Sequence, residues 1–166
     1  MTHLIMSNYY VYLISSLPML HPGAKPPFTS EKFLNMCEEL VPDEDLEAVR
    51  GAGQWPKWLE FDTGLRNELV KIRAAKKHLD PAKYLRGTAF AASEAVHAAA
   101  IASRNPSALD AERALDAARW HFLDELSMGH YFDLNFLIIY ALKLGILERW
   151  ARVDSADPAK EVRQLC

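Results

Sequence analysis

The chain has 166 residues, 50% of them hydrophobic and 25% charged, and a formal net charge of −3. That length accommodates one domain with a real core. The composition excludes disorder as the main reading, and the mild acidity gives no pull toward nucleic acid or anionic lipid.

The first apolar segment is NYYVYLISSLPML, Asn8 to Leu20. Its aromatic and β-branched residues suit a short strand, and its length before Pro18 suits a short buried helix; periodicity does not separate the two. Ser15, Ser16 and Pro18 interrupt it, which argues against a signal peptide. Pro22, Gly23, Pro26 and Pro27 then make a loop. Thr29 or Ser30 caps a helix over SEKFLNMCEEL, with Phe33, Leu34, Cys37 and Leu40 on one stripe. Pro42 ends it and opens PDEDLEAVR, which Gly51 and Gly53 close.

Trp55 to Leu79 reads as one long helix whose buried stripe is Trp58, Phe61, Leu65, Leu69 and Ile72. Asp62 stands four residues before Arg66, a favourable acid-to-base spacing. The far end is basic: Arg66, Lys71, Arg73, Lys76 and Lys77. Asp80 and Pro81 start a short turn that Gly87 ends. Thr88 to Arg104 is alanine-rich, so its axis can approach a neighbour closely. Asn105 caps the next helix with Pro106 at its first position, and that helix runs to about Ser127. Its seam is Ala108, Ala111, Leu115, Ala118, Phe122 and Leu126, giving an antiparallel hairpin with its predecessor.

Phe132 to Trp150, FDLNFLIIYALKLGILERW, organises the rest. Asp133 caps it, and its first three turns are apolar on nearly every side. Such a helix is buried in a core or spans a membrane. Asp133, Asn135 and Lys143 leave it short of the ~20 apolar residues a bilayer needs, so it is a core helix. A short terminal helix, Ala159 to Gln164, follows. The expected fold is all-α: a single helical bundle of about six to seven helices over residues 1–166, with residues 1–7 and 155–166 loosely ordered ends.

The candidate chemistry is sparse. Glu94 and His97 have the Glu-x-x-His spacing of di-iron bundles, but no second copy of the motif exists in the chain. His121 and Glu125 share a helix face, and with Asp124, His130 and Asp133 they cluster in sequence as a conceivable His/carboxylate metal site. Asp133 is equally explained as a cap, His130 as a turn residue, and Asp124 and Glu125 as a solvated face. The basic run from Arg66 to Lys77 reads more simply as a solvated face than as a phosphate site, because Glu68 lies within it. No nucleophile motif, P-loop or dinucleotide fingerprint is present. Cys37 sits on an apolar stripe as a small hydrophobe. The two cysteines, Cys37 and Cys166, make no disulfide framework, so a reducing compartment is expected. No catalytic, cofactor-binding or metal-binding residue is assigned.

Three stretches carry a resemblance: NYYVYLISSLPML, LRNELVKIRAAK and YFDLNFLIIYALKLGILERW. The most specific part is the Tyr-Tyr-x-Tyr-Leu opening with Ser-Leu-Pro after it. The Leu-Arg-Asn-Glu and Tyr-x-x-Lys-Leu-x-x-x-Glu-Arg patterns come next. Over Asn8 to about Trp150 the chain resembles a small bacterial family of unknown function (domain of unknown function 2764) found among the subunits of V-type rotary ATPases. It is more distantly similar to the socket component of V/A-type ATPases, lettered C (d in eukaryotes), which is all-helical and sits between the central stalk and the membrane rotor. This chain is shorter than a full socket component and would supply part of one.

The resemblance implies a helical Asn8–Leu17 and a mechanical, non-catalytic role without a cofactor. It implies central-stalk and membrane-rotor subunits as partners, no nucleic acid, and a cytoplasmic position peripheral to the inner membrane through the complex. Arg66, Arg73, Glu148 and Arg149, at the charged ends of the long helices, are the partner-facing candidates. The alternatives are a metal-binding helical-bundle enzyme built on Glu94, His97, His121, Glu125 and His130, and a generic helical adaptor.

Overall fold

The computed structural model describes residues 2–88 and 91–156, with side chains from residue 9 onward. Seven α-helices and two 3-10 turns occur among the described residues, and no strand. The all-α expectation holds. The segment left open between helix and strand is helical: α1 spans Thr2–Ser16. Strand propensity measures how well a side chain packs on a pleated surface. With no strand among the described residues to supply that surface, Tyr9 and Tyr10 pack from a helix instead, while Tyr12 stays exposed.

The chain divides into two compact units. The first is formed by Met1–Ala52 together with Ser127–Cys166. It contains α1, α2 (Ser30–Glu38), α3 (Asp43–Arg50) and α7 (Leu134–Ser155). Thr29 caps α2, its hydroxyl accepting from Lys32 N at 3.2 Å. Asp133 caps α7 in the same way, accepting from Phe136 N at 2.9 Å. Three acids, Asp43, Glu44 and Asp45, fill the first turn of α3, where the helix dipole favours them.

From Asp133 to Ala151 no residue is fully exposed, and Leu137, Leu144 and Leu147 are completely enclosed. The all-round apolar character of α7 is thus the signature of a core helix, each such leucine contributing roughly 1.5–3 kcal/mol on burial. Helices α2 and α3 both pack on it. The Tyr140 ring lies 5.0 Å from Phe33, and its hydroxyl donates to Pro18 O at 2.9 Å, tying the segment just after α1 to the middle of α7. Tyr10 adds a second tie by donating to Asp45 of α3.

The second unit is Gly53–Leu126. It contains α4 (Pro56–Lys76), α5 (Ser93–Arg104) and α6 (Ala108–Ser127, whose last residue belongs to the first unit). Its core joins Phe61, Leu65 and Leu69 of α4, Ala95, Ala98, Ala99 and Ala102 of α5, and Leu115 of α6. The alanines let the α5 axis come close, as their spacing predicts. Asn67, buried in α4, holds the segment after the Pro81–Lys83 turn: it donates to Arg86 O at 2.8 Å and accepts from Arg86 N at 3.0 Å.

Several boundaries differ from expectation. Helix α5 starts at Ser93 rather than Thr88, with Ala92 in extended backbone before it; Ala89 and Phe90 are outside the described residues. The cap of α6 is Ser107, not Asn105. Asp110 N donates to Ser107 Oγ at 3.2 Å, while Asn105 Oδ1 accepts from Ser107 N and leaves Pro106 outside the helix. Helix α7 continues past Trp150 to Ser155. The expected helix Ala159–Gln164 lies outside the described residues.

Candidate functional site

Helices α5 and α6 are joined by three residues, and residues distant in sequence meet across a groove that both helices line. One groove is lined by Glu94 and His97 of α5 and by His121 and Glu125 of α6. Its volume is about 270 Å³. The floor is apolar: Phe61, Ala98, Ala118 and Phe122, with the Phe61 and Phe122 rings stacked at 4.0 Å. The two Glu/His pairs, unconnected in the sequence, therefore share one concavity. All four side chains belong to exposed residues. His121 Nε2 lies 3.5 Å from Glu125 Oε1, a pairing that carries charge only when the imidazole is protonated.

Among the described residues no three His, Cys, Asp or Glu groups converge closely enough to hold a metal ion. His130, the fifth member of the metal alternative, belongs to the first unit. There its Nδ1 sits 2.5 Å from Asp133 Oδ2 and beside Asn135, next to the cap of α7. It orders a helix start.

A second groove lies where α4 ends. It is lined by Leu69, Arg73 and Lys76 of α4, Ala102 and Ser103 of α5, and Asn105, Pro106, Ala108, Ala111 and Leu115 beyond, with a volume of about 250 Å³. Lys76 Nζ donates to Ser103 O at 2.8 Å. Arg73 is exposed and has no ion pair or side-chain hydrogen bond among the described residues. No carboxylate of the described residues lines this groove.

The other partner-facing candidates are engaged within the fold. Arg66 reaches Asp62 Oδ2 at 2.8 Å, the i,i+4 pair visible in the sequence, with its own side chain mostly exposed. Glu148 is half-buried; it accepts from Ser30 N at 2.8 Å and from Ser30 Oγ. A carboxylate of α7 thereby meets the open N-terminus of α2, where backbone N–H groups lack helical partners and the dipole favours negative charge. Arg149 is half-buried, its guanidinium 5.9 Å from the Trp150 ring centre.

Sequence reasoning missed the most buried charges. Arg119 donates from Nε to Asp62 Oδ1 at 2.8 Å and from its NH1 amine to Asp116 Oδ1 at 2.8 Å. All three residues are less than a tenth exposed. Asp62 is thus the centre of a chain from Asp116 through Arg119 to Arg66, not a surface pair. The Asp116/Arg119 spacing of three was the available signal, but nothing local marks it as buried.

Burial also governs the protons of the first unit. It pushes the Cys37 thiol up to about 12, so the group is neutral at ordinary pH and is no nucleophile. Burial pushes the Tyr140 hydroxyl up to about 12 as well, preserving it as a hydrogen-bond donor. Tyr10 is raised by burial first and by its bond to Asp45 second.

No described helix is long and apolar enough to cross a membrane. No curated protein and no solved structure matches the chain. Residues 99–166, which cover the end of α5, all of α6 and α7 and the final residues, match the model of a family described as a protein of unknown function (DUF2764).

Proposed function

We propose that this chain is a non-catalytic component or accessory of a bacterial V/A-type rotary ATPase. It docks the central stalk to the membrane rotor in the manner of the helical socket component, or assists that assembly. Its partners are central-stalk and rotor subunits, and it meets the membrane only through them. The observation that carries this reading is the overlap of the DUF2764 match with Tyr131–Trp150, one of the three stretches on which the ATPase resemblance rests.

The helical architecture suits the role. A coupler needs stiff helices, a dry core and charged faces available to a neighbour. Of the four candidate contact residues, Arg73 has its charge most available, followed by Arg66, whose guanidinium is exposed though paired. Affinity purification of the tagged protein from gently solubilised native cells, followed by mass spectrometry, tests the proposal. Stoichiometric recovery of stalk and rotor subunits supports it; recovery of the protein alone at normal expression overturns it.

A second reading, a metal-binding helical bundle, draws on the shared groove of Glu94, His97, His121 and Glu125. It ranks behind because those groups do not converge as placed. Elemental analysis of protein purified without chelators separates the two. Stoichiometric iron, zinc or manganese would promote this reading, and substoichiometric metal would remove it.

A further inference from the structure

We infer that the groove at the end of α4 is a docking pocket for an acidic segment of a partner protein, one that presents a carboxylate beside a short aliphatic side chain. The inference rests on the docking reading above and names the chemistry of the surface that reading requires.

Charge is the first argument. In the middle of α4 two cations are matched: Arg66 holds Asp62 at 2.8 Å and Lys71 holds Glu68 at 2.6 Å. At the last turn the matching stops. Arg73 and Lys76 both line the groove, and no acid among the described residues lines it with them. An ammonium has three donors. Lys76 uses one on Ser103 O, which fixes the head group and leaves two N–H bonds for an incoming oxygen. Asn105 accepts from Ser107 N through Oδ1, so its amide NH₂ adds a neutral donor at the same rim.

The floor is the second argument. Leu69, Ala102 and Leu115 are buried beneath the cations, so whatever places its carboxylate on Arg73 and Lys76 also meets an apolar wall. An inorganic anion would leave that wall uncovered, whereas a glutamate next to a leucine covers both. Size is the third. A volume of about 250 Å³ lies below the ~300–1,000 Å³ typical of sites that enclose a drug-sized ligand. One or two side chains fit it. A polypeptide that carries its own backbone over the rim gains further contact that a free small acid lacks.

The test uses the full ¹⁵N-labelled chain titrated with a blocked Glu-Leu-Glu-Leu peptide, with blocked Gln-Leu-Gln-Leu and sodium phosphate as parallel arms. The expected result is a saturable set of amide shifts confined to Arg73, Lys76, Ala102, Ser103 and Ala111. The Gln peptide gives none, and phosphate gives weaker shifts. R73E/K76E should weaken the acidic peptide about tenfold or more, and added salt should weaken it for the wild type. The milder R73Q/K76Q keeps the measurement decisive should charge reversal disturb the fold; both variants are checked by circular dichroism.

Shifts spread over the surface, equal response to phosphate, or affinity untouched by both variants would overturn the inference. The same variants go into the native-cell purification. If wild type recovers ATPase subunits and R73E/K76E recovers them equally, the pocket assignment fails while the docking reading stands. Should wild type recover none, the docking reading fails, and the peptide titration still decides the pocket.

Discussion

Replacing Arg119 by methionine keeps the unbranched stem and removes the guanidinium that joins Asp62 to Asp116. Both carboxylates are enclosed, at 8% and 4% exposure, and each loses a 2.8 Å charge-assisted bond. Removing one partner of a buried ion pair costs about 3–5 kcal/mol, because the stranded charge keeps its desolvation penalty without its compensation. Arg66 still touches Asp62 from the solvent side, which favours the lower end of that range. For a chain of this length each kcal/mol lowers Tm by roughly 2–4 °C, so R119M should melt on the order of 10 °C below wild type. R66M removes the exposed member of the same chain and should cost under ~1 kcal/mol.

The triple variant D62N/D116N/R119M removes the charges together with their counter-charge and should regain part of the loss. Urea unfolding followed by circular dichroism reads all three. Equal midpoints for R119M and R66M at an unchanged denaturant slope would refute the reasoning. So would a triple variant no more stable than the single one.

Four other outcomes follow from the structure. His78 adopts φ 55 where α4 ends, and Leu79 N and His78 N bond back to Ala74 O at 2.9 Å and Ala75 O at 3.3 Å. This is a left-handed helix stop that favours glycine, so H78G should raise stability by up to ~1 kcal/mol, measured by urea midpoint. E148A strips the N-terminus of α2 of its carboxylate and should cost about 1–2 kcal/mol, with faster amide exchange at Ser30 as the local readout. Alkaline pH should destabilise the first unit. The Cys37 thiol and Tyr140 hydroxyl, ordinarily at 9.0 and 10.0, are each raised to about 12 by burial. The unfolded chain therefore releases these protons first. Stability is intact below pH 9.0 and falls as pH climbs toward 12, which midpoints taken across that window will show. Peptide-mapped alkylation should find Cys37 protected in native protein at pH 8 (about the free-thiol range) and reactive in urea.

What was legible in the sequence is what local physics decides. Thr29 and Asp133 cap their helices because a cap needs a side chain within three residues of the N–H it accepts from. The burial of α7 followed from having no polar face. The α4 stripe was readable too, with Phe61, Leu65 and Leu69 all in the core. Composition misled at α1, because tyrosine and valine favour strands only where a sheet exists to receive them.

Arg119 was illegible for the opposite reason. Its partner Asp62 lies 57 residues away, and no window of sequence registers that encounter. Glu148 and Ser30, 118 residues apart, are a second case. The shared groove of Glu94, His97, His121 and Glu125 was half legible. Each pair follows from helical spacing, but their meeting depends on the length of the turn between α5 and α6 and on which face each helix buries.

The charges can now be sorted by what opposes them, which narrows where a partner can act. Glu148 is bound to a helix end, Arg149 lies over Trp150, and Arg66 already faces a carboxylate. A partner that engaged any of these would have to compete with an existing contact, and its net gain would shrink by what that contact contributes. Arg73 has no such competitor among the described residues, and Lys76 is positioned by a neutral carbonyl that leaves its charge unopposed. Among these candidates, electrostatic attraction to an acidic surface is therefore least diminished at the last turn of α4. A charge placed there acts on encounter rate and orientation more than on raw affinity, so under the proposed docking reading the remainder of the binding energy would come from apolar surface that the partner covers.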